Sequence, residues 1–183
     1  LVVNPDAAAH FIEEYKRFLG EVERLTDSAQ DAPLLDRLTI ARNAAGEDQG
    51  LRERALASLE DCGRALASDV LASVKSLRFE RWIFLKDTRA YSVFVQLDGA
   101  QAYGVLGLTQ PVRHIVGQSG VVMTTGVVEY QGRYVCDGLI GGSLVWLGPG
   151  YKRNLNARLA ELRKSGEFRV ACRDLAEAAG SRQ

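Results

Sequence analysis

Val70-Leu71-Ala72-Ser73-Val74-Lys75-Ser76-Leu77-Arg78-Phe79-Glu80-Arg81-Trp82-Ile83-Phe84-Leu85 is the stretch whose reading decides the fold. Up to Val74, apolar residues recur at the three-and-four spacing of a helix. From Phe79 they crowd into a short run with Trp82 and Phe84, as strands do. The chain before this point reads as helical. The chain after it reads, for about seventy residues, as strands and glycine turns.

Working back toward the N-terminus, Leu51 to Val74 reads as one helix, with Leu51, Ala55, Leu59, Cys62, Leu66 and Val70 on a single stripe. Gly63 inside it costs about 1 kcal/mol against Ala unless another element packs there. Gly46 to Gly50 separates it from a shorter helix carrying Leu34, Leu35, Leu38 and Ile40 to Ala45. Asp27 to Pro33 is a polar loop. The first helix starts at Asn4-Pro5-Asp6: Asn caps, Pro suits the first helical position, and Asp favours the positive end of the dipole. Its apolar face is Phe11, Ile12, Tyr15, Phe18, Leu19, Val22 and Leu25, ending near Thr26. An amphipathic helix of this kind needs a partner for its stripe.

Working forward, Phe79 to Leu85 and Tyr91 to Leu97 are strands. Asp98-Gly99 is a hairpin signal, and Ala102 to Leu108 returns. Thr109-Gln110-Pro111 interrupts. Val121 to Tyr130 and Arg133 to Ile140 form the clearest hairpin, turning on Gln131-Gly132, and Leu144 to Leu147 adds a strand. Tyr151 to Lys164 is a helix with Leu155, Leu159 and Leu162 inward, and Phe168 to Ala171 is a possible edge strand. The fold class is therefore α+β. N-terminal helices pack on a mostly antiparallel sheet of about six strands, open to closure as a partial barrel, with one helix near the C-terminus. A single domain over 1–183 is expected, with a helical layer at 1–74, a β-rich core at 75–150, a helix and edge strand at 151–171, and a weak tail at 172–183.

The 183 residues are 46% apolar and 25% charged, ordinary for a globular domain able to bury its own core. No apolar run approaches the roughly 20 residues that span a bilayer, so no membrane role is read. Leu1-Val2-Val3 runs straight into Asn4-Pro5-Asp6, which is not a signal peptide; the chain does not start with Met, which leaves a segment upstream of Leu1 open. Cys62, Cys136 and Cys172 are widely spaced and odd in number, which fits a reducing, cytoplasmic compartment. Only His10 and His114 could join them, so no metal is expected, and no motif calls for a cofactor. The net charge of zero hides an asymmetry: residues 1–74 hold 14 acidic and 8 basic side chains, net −6, and the remainder is +6. That is either ordinary solvated helix faces, or an acidic front able to dock a basic back.

Gly107-Leu108-Thr109-Gln110-Pro111, then Tyr130-Gln131-Gly132-Arg133-Tyr134-Val135-Cys136-Asp137-Gly138-Leu139-Ile140, then Leu147-Gly148-Pro149-Gly150 resembles a stretch of prokaryotic proteins of unknown function. In those proteins a GLT-x-P segment precedes a hairpin ending in DG-L. The resemblance covers roughly residues 80–165. It implies a bacterial or archaeal cytoplasmic origin and one structural unit over 79–147, and it transfers no catalytic residue.

Five sets of residues could carry chemistry. Cys136, Asp137 and His114 supply a nucleophile, a base and an orienting group by type, but neighbours on a strand point to opposite faces, and a strand cysteine is commonly a buried hydrophobe. Asp137-Gly138 reads as a bulge or turn at a strand end, or as a carboxylate at a sheet rim. Glu129 and Asp137 flank the hairpin turn, without spacing that shows convergence. Gly148, Gly150, Lys152 and Arg153 open the last helix, where free N–H groups and bases would hold an anion; the alternative is a tight turn with solvated bases. Lys75, Arg78, Arg81, Lys86 and Arg89 interleave with Phe79, Trp82 and Phe84, as in a nucleic-acid surface or a strand with one wet face. The expected function is a non-catalytic interaction or assembly module with a protein partner or self-association. Small-anion or nucleic-acid binding through the basic C-terminal part, and a small enzyme around Cys136, Asp137 and His114, are the alternatives.

Overall fold

The computed structural model describes residues 1–27 and 31–171. Its elements run α1 (Pro5–Thr26), α2 (Leu34–Glu47), α3 (Gln49–Asp61), α4 (Ser68–Lys75), β1 (Arg78–Asp87), β2 (Ser92–Gln96), β3 (Ala102–Leu106), α5 (Val112–Val116), β4 (Val121–Tyr130), β5 (Arg133–Cys136), β6 (Gly141–Trp146), α6 (Pro149–Ser165) and β7 (Phe168–Arg169). Asn4 caps α1 as its position suggests: its side chain accepts from the N–H of Asp6 at 3.0 Å and of Ala7 at 3.5 Å.

The helix expected over Leu51–Val74 is two helices. Gly63 sits at φ +68°, and the chain turns there through Gly63 N–H to the Glu60 carbonyl and Arg64 N–H to the Leu59 carbonyl. Only glycine takes that conformation without strain, so it ends α3 rather than sitting inside a longer helix. The apolar stripe continues across the break through Leu51, Ala55, Leu59, Leu66, Val70 and Val74, all buried, while Cys62 is exposed. Two further differences come from local chemistry. Pro111 starts the short helix α5, and Asp137-Gly138, with Gly138 at φ +80°, ends β5 at Cys136 rather than Ile140. The tail at 172–183 lies outside the described residues.

The sheet is mixed but mostly antiparallel. Its order is β1-β2-β3-β5-β4-β6, and β1 also pairs with β4, so five strands join in a ring. The ring is not a regular barrel. The β3–β5 join is parallel and rests on Val105 with Tyr134 and Leu106 with Val135, and β7 pairs in parallel with the start of β3 beside it. Alternation along each strand sorts side chains to two faces. Trp82, Phe84, Phe94, Tyr103, Val105, Met123, Val127, Tyr134 and Cys136 fill the ring. Ile83, Leu85, Val93, Val95 and Val122 face outward under Leu159 and Leu162 of α6. Val128, Tyr130 and Val135 join the helical layer, where Phe11, Phe18, Leu19, Leu59 and Val70 pack. The helices thus cover one side of the ring and α6 another. Among the described residues no helix is long and apolar enough to cross a membrane.

Candidate functional site

At the seam between helical layer and ring, two glycines make room for charge. A Cβ on Gly46 would lie 2.3 Å from Phe79 Cβ, so its absence lets α2 rest directly on β1. One turn earlier, Arg42 then passes over the Phe79 ring, 5.0 Å from its centroid, and reaches the end of β5. A Cβ on Gly126 would lie 2.3 Å from Asp137 Oδ2, so β4 leaves space for that carboxylate. Arg42 Nη1 donates to both oxygens of Asp137, at 2.9 and 2.7 Å; Nη2 donates to the Leu139 carbonyl at 2.6 Å and Nε to Asn43 Oδ1 at 2.9 Å. Neither side chain of the pair is exposed at all. Tyr15 of α1 donates its hydroxyl to Oδ2 at 3.3 Å, and Leu139 N–H donates to Oδ1 at 3.0 Å. Thr125 Oγ1 lies 3.2 Å from Oδ1, 3.0 Å from the Leu139 carbonyl and 3.4 Å from Cys136 Sγ.

Burial raises the Asp137 carboxyl above the ordinary carboxylate range, while Arg42 and the Leu139 N–H pull the other way. Burial, and then the Asp137 charge, also raises the Tyr15 hydroxyl. The Cys136 thiol is pushed up to about 11, first by burial and then by the adjacent carboxylate. A thiol held neutral inside the ring is a poor nucleophile. His114 stands exposed on α5, and no hydrogen bond among the described residues ties it to Cys136 or Asp137. The structure therefore brings Cys136 and Asp137 together in a clamp between layers and leaves His114 outside it.

Two of the three segments that carry the resemblance, 107–111 and 130–140, meet here. Leu108, Thr109 and Gln110 share with Asp137, Gly138 and Leu139 a cavity of about 180 Å³. That is below the size usual for a small-molecule site, and the Asp137 carboxylate faces Arg42 rather than the opening.

The other predicted residues are dispersed. Lys152 runs along Gly120 and donates to the Ser119 carbonyl at 3.5 Å, Arg153 is exposed, and Gly148 and Gly150 bracket the start of α6, which no side chain caps. Trp82 is fully buried with its indole N–H donated to the Thr125 carbonyl at 3.2 Å, so its face is not offered to a base. Arg78 donates to the Tyr103 hydroxyl at 2.9 Å and pairs with Glu129 at 3.3 Å. Arg81 lies beside Leu97 and Asp98, and Lys75 ends α4. Part of the acidic helical front is locally paired: Glu21 with Arg24 and Arg64, Glu14 with Arg17, Glu23 with Arg37. Among the described residues no group of three or more His, Cys, Asp or Glu could hold a metal.

Sequence reasoning missed Arg42, Tyr15 and Thr125. A signal for Arg42 was present: it sits beside Ala41 and one turn after Leu38, on the apolar side of a helix, where a cation needs a buried partner. Thr125 lies in an unbroken β-run and carries no such mark.

A different surface is left open. β6 pairs only with β4 among the described residues, at Val121–Trp146, Val122–Val145 and Thr124–Gly141, with a bulge between. Val145 and Trp146 are 47% and 46% exposed, on opposite faces of this strand, and Tyr151 just beyond it is 69% exposed. Gly141-Gly142-Ser143-Leu144-Val145-Trp146 contains no charge and no proline. Thr39 and Asn43 of α2 face Gly141, and Leu35, one turn before Thr39, is 63% exposed.

Compared with protein-family descriptions, curated proteins and solved structures, the chain matches none.

Proposed function

We propose that the chain is a non-catalytic assembly module that associates with a second copy of itself along β6. The observation that carries this reading is the composition of that edge. A free strand edge presents a row of unpaired N–H and C=O groups, and edges that stay single are usually blunted by lysine, proline or shortness. β6 is short and bulged against β4, but it carries no lysine and no proline, and it exposes an aliphatic and an aromatic side chain beside Tyr151. Trp and Tyr are among the residues enriched where proteins meet. Antiparallel pairing of β6 with β6 of the second copy satisfies both edges at once and closes as a two-fold dimer.

The buried clamp supports the same reading from the other side. The carboxylate beside Cys136 is taken up by Arg42, and the thiol is held protonated. The residues of the DG-L segment hold layers together rather than face a substrate.

The test is mass in solution. Sedimentation velocity or light scattering at about 100 µM, far above a micromolar dissociation constant, should return a dimer for the wild-type chain. Val145→Lys combined with Trp146→Asp should return a monomer that still unfolds cooperatively, at a midpoint that no longer depends on protein concentration. A monomeric wild type, or a variant that remains dimeric, defeats the proposal.

A further inference from the structure

The opposite rim of the ring carries a second feature, independent of β6. A cavity of about 700 Å³ opens there between the end of the β4–β5 hairpin and β7, lined by Glu129, Tyr134, Ser165, Glu167, Phe168 and Arg169 among others. This is within the range of small-molecule sites, and the mouth of a strand ring is a recurrent place for one.

Its charged groups are pre-positioned by one chain of hydrogen bonds. Arg78 donates Nη2 to Glu129 Oε1 at 3.3 Å and Nη1 to the Tyr103 hydroxyl at 2.9 Å. Tyr103, fully buried, donates in turn to Gln101 Oε1. Gln101 Nε2 donates to Glu167 Oε2 at 3.1 Å. The chain begins and ends on a carboxylate, and both carboxylates line the same cavity. Each uses one oxygen in it. Among the described residues, Glu129 Oε2 and Glu167 Oε1 have no hydrogen-bond donor. Arg169 lines the same cavity with its guanidinium 3.9 Å from Glu167, an ion pair too long for a hydrogen bond. Tyr103 and Arg169 are held side by side because β7 pairs with the start of β3.

We infer that this mouth binds a small zwitterion of the amino-acid or short-peptide class. The ligand's ammonium would sit on the free oxygens of Glu129 and Glu167, and its carboxylate on the guanidinium of Arg169. The lining carries both signs, with Arg169 3.9 Å from Glu167, so a ligand with both signs meets both and a singly charged ligand meets only one. The Arg78–Tyr103–Gln101 chain fixes the carboxylates before binding, which lowers the ordering cost of the bound state.

The probe is alanyl-alanine, with butylamine and propionate as its two singly charged halves, titrated by calorimetry against the full chain. Alanyl-alanine should bind saturably and about tenfold or more tighter than either half, the effect of one charge-assisted hydrogen bond. Glu167→Gln and Arg169→Gln, both at exposed side chains, should each weaken it about tenfold while leaving the melting temperature unchanged. No saturable binding of the dipeptide, equal binding by a half-ligand, or unaltered binding by both variants overturns the site. Dimerisation through β6 is read separately by mass, so failure here leaves that result untouched.

Discussion

The hairpin β4–β5 carries two carboxylates, Asp137 just past one end and Glu129 near its turn, and each is paired with an arginine. The first pair is dry: Arg42 and Asp137 have no exposed side-chain surface, and hydrogen bonds from α1, α2, β4 and the chain after β5 converge on them. The second is wet: Arg78 and Glu129 are each about a third exposed and meet at a single hydrogen bond of 3.3 Å. The same chemistry serves opposite ends. In the dry pair nothing can leave without stranding a charge, so the pair fixes where the helical layer sits. In the wet pair the carboxylate gives Arg78 one oxygen only, so the other stays available at a cavity rim.

The sharpest way to break this comparison is to remove one partner of each pair. Arg42→Ala should cost about 3–5 kcal/mol in urea unfolding, because it leaves the Asp137 carboxylate buried and uncompensated. A loss under about 1 kcal/mol would show that water reaches Asp137 and that the two pairs do not differ. A companion double substitution, Arg42→Met with Asp137→Leu, should recover most of that loss, since the cost lies in the stranded charge rather than in the missing bond.

A second test moves the dry carboxylate without removing it. Gly126→Ala puts a Cβ where Asp137 Oδ2 and Leu77 Cδ1 now sit, at 2.3 and 2.8 Å, and should cost about 1–3 kcal/mol. Gly132→Ala at the hairpin turn has open space around it, so its cost comes from its φ of +71° alone and should leave the clamp intact. Nuclear magnetic resonance shifts of Arg42 Nε–H separate the two, moving in the first variant and not in the second.

A third test uses pH. The Cys136 thiol is raised by folding from 9.0 to about 11, so the folded state favours its neutral form. The stability this contributes is complete below pH 9 and is lost as pH rises through that window toward 11. By pH about 9.5 the loss is about 1 kcal/mol, since each tenfold difference in proton affinity between folded and unfolded chain is worth about 1.4 kcal/mol. Cys136→Ala should flatten the unfolding free energy over this range relative to wild type. Parallel curves would mean that the thiol is not in the dry compartment. Native thiol labelling should agree, being slow at Cys136 and fast at the exposed Cys62.

The smallest expected effect belongs to the wet pair. Glu129→Gln should change stability by about 1 kcal/mol or less, as exposed pairs do. A loss as large as that of Arg42→Ala would make the rim a structural clamp too, and would remove the contrast on which the cavity's availability rests.

Much of this was legible in the chain. The change of period near residue 75 places the boundary between helices and strands, the Asn4-Pro5-Asp6 cap begins α1, and Asp98-Gly99 and Gln131-Gly132 turn the two hairpins where they should. Gly63 misled in one respect: an apolar stripe that continues in phase across a break looks like one helix, because periodicity reports which residues are buried and not whether the backbone between them is helical. Asp137-Gly138 was legible as a turn, and the partner of its carboxylate was not, because Arg42 lies 95 positions earlier in the chain.

Local interactions set what the sequence determined by itself: helix caps, glycine turns and side-chain alternation act over a few residues, so element types and the α+β class follow from neighbours alone. The tertiary structure decided the rest. Which strands close the ring, that β3 meets β5 and β7 in parallel, that Arg42 reaches Asp137 through the gaps at Gly46 and Gly126, and that Glu129 and Glu167 face one cavity are all contacts between segments far apart in the chain. Their energies depend on distance and on exclusion of water, and both arise only when the layers close on one another.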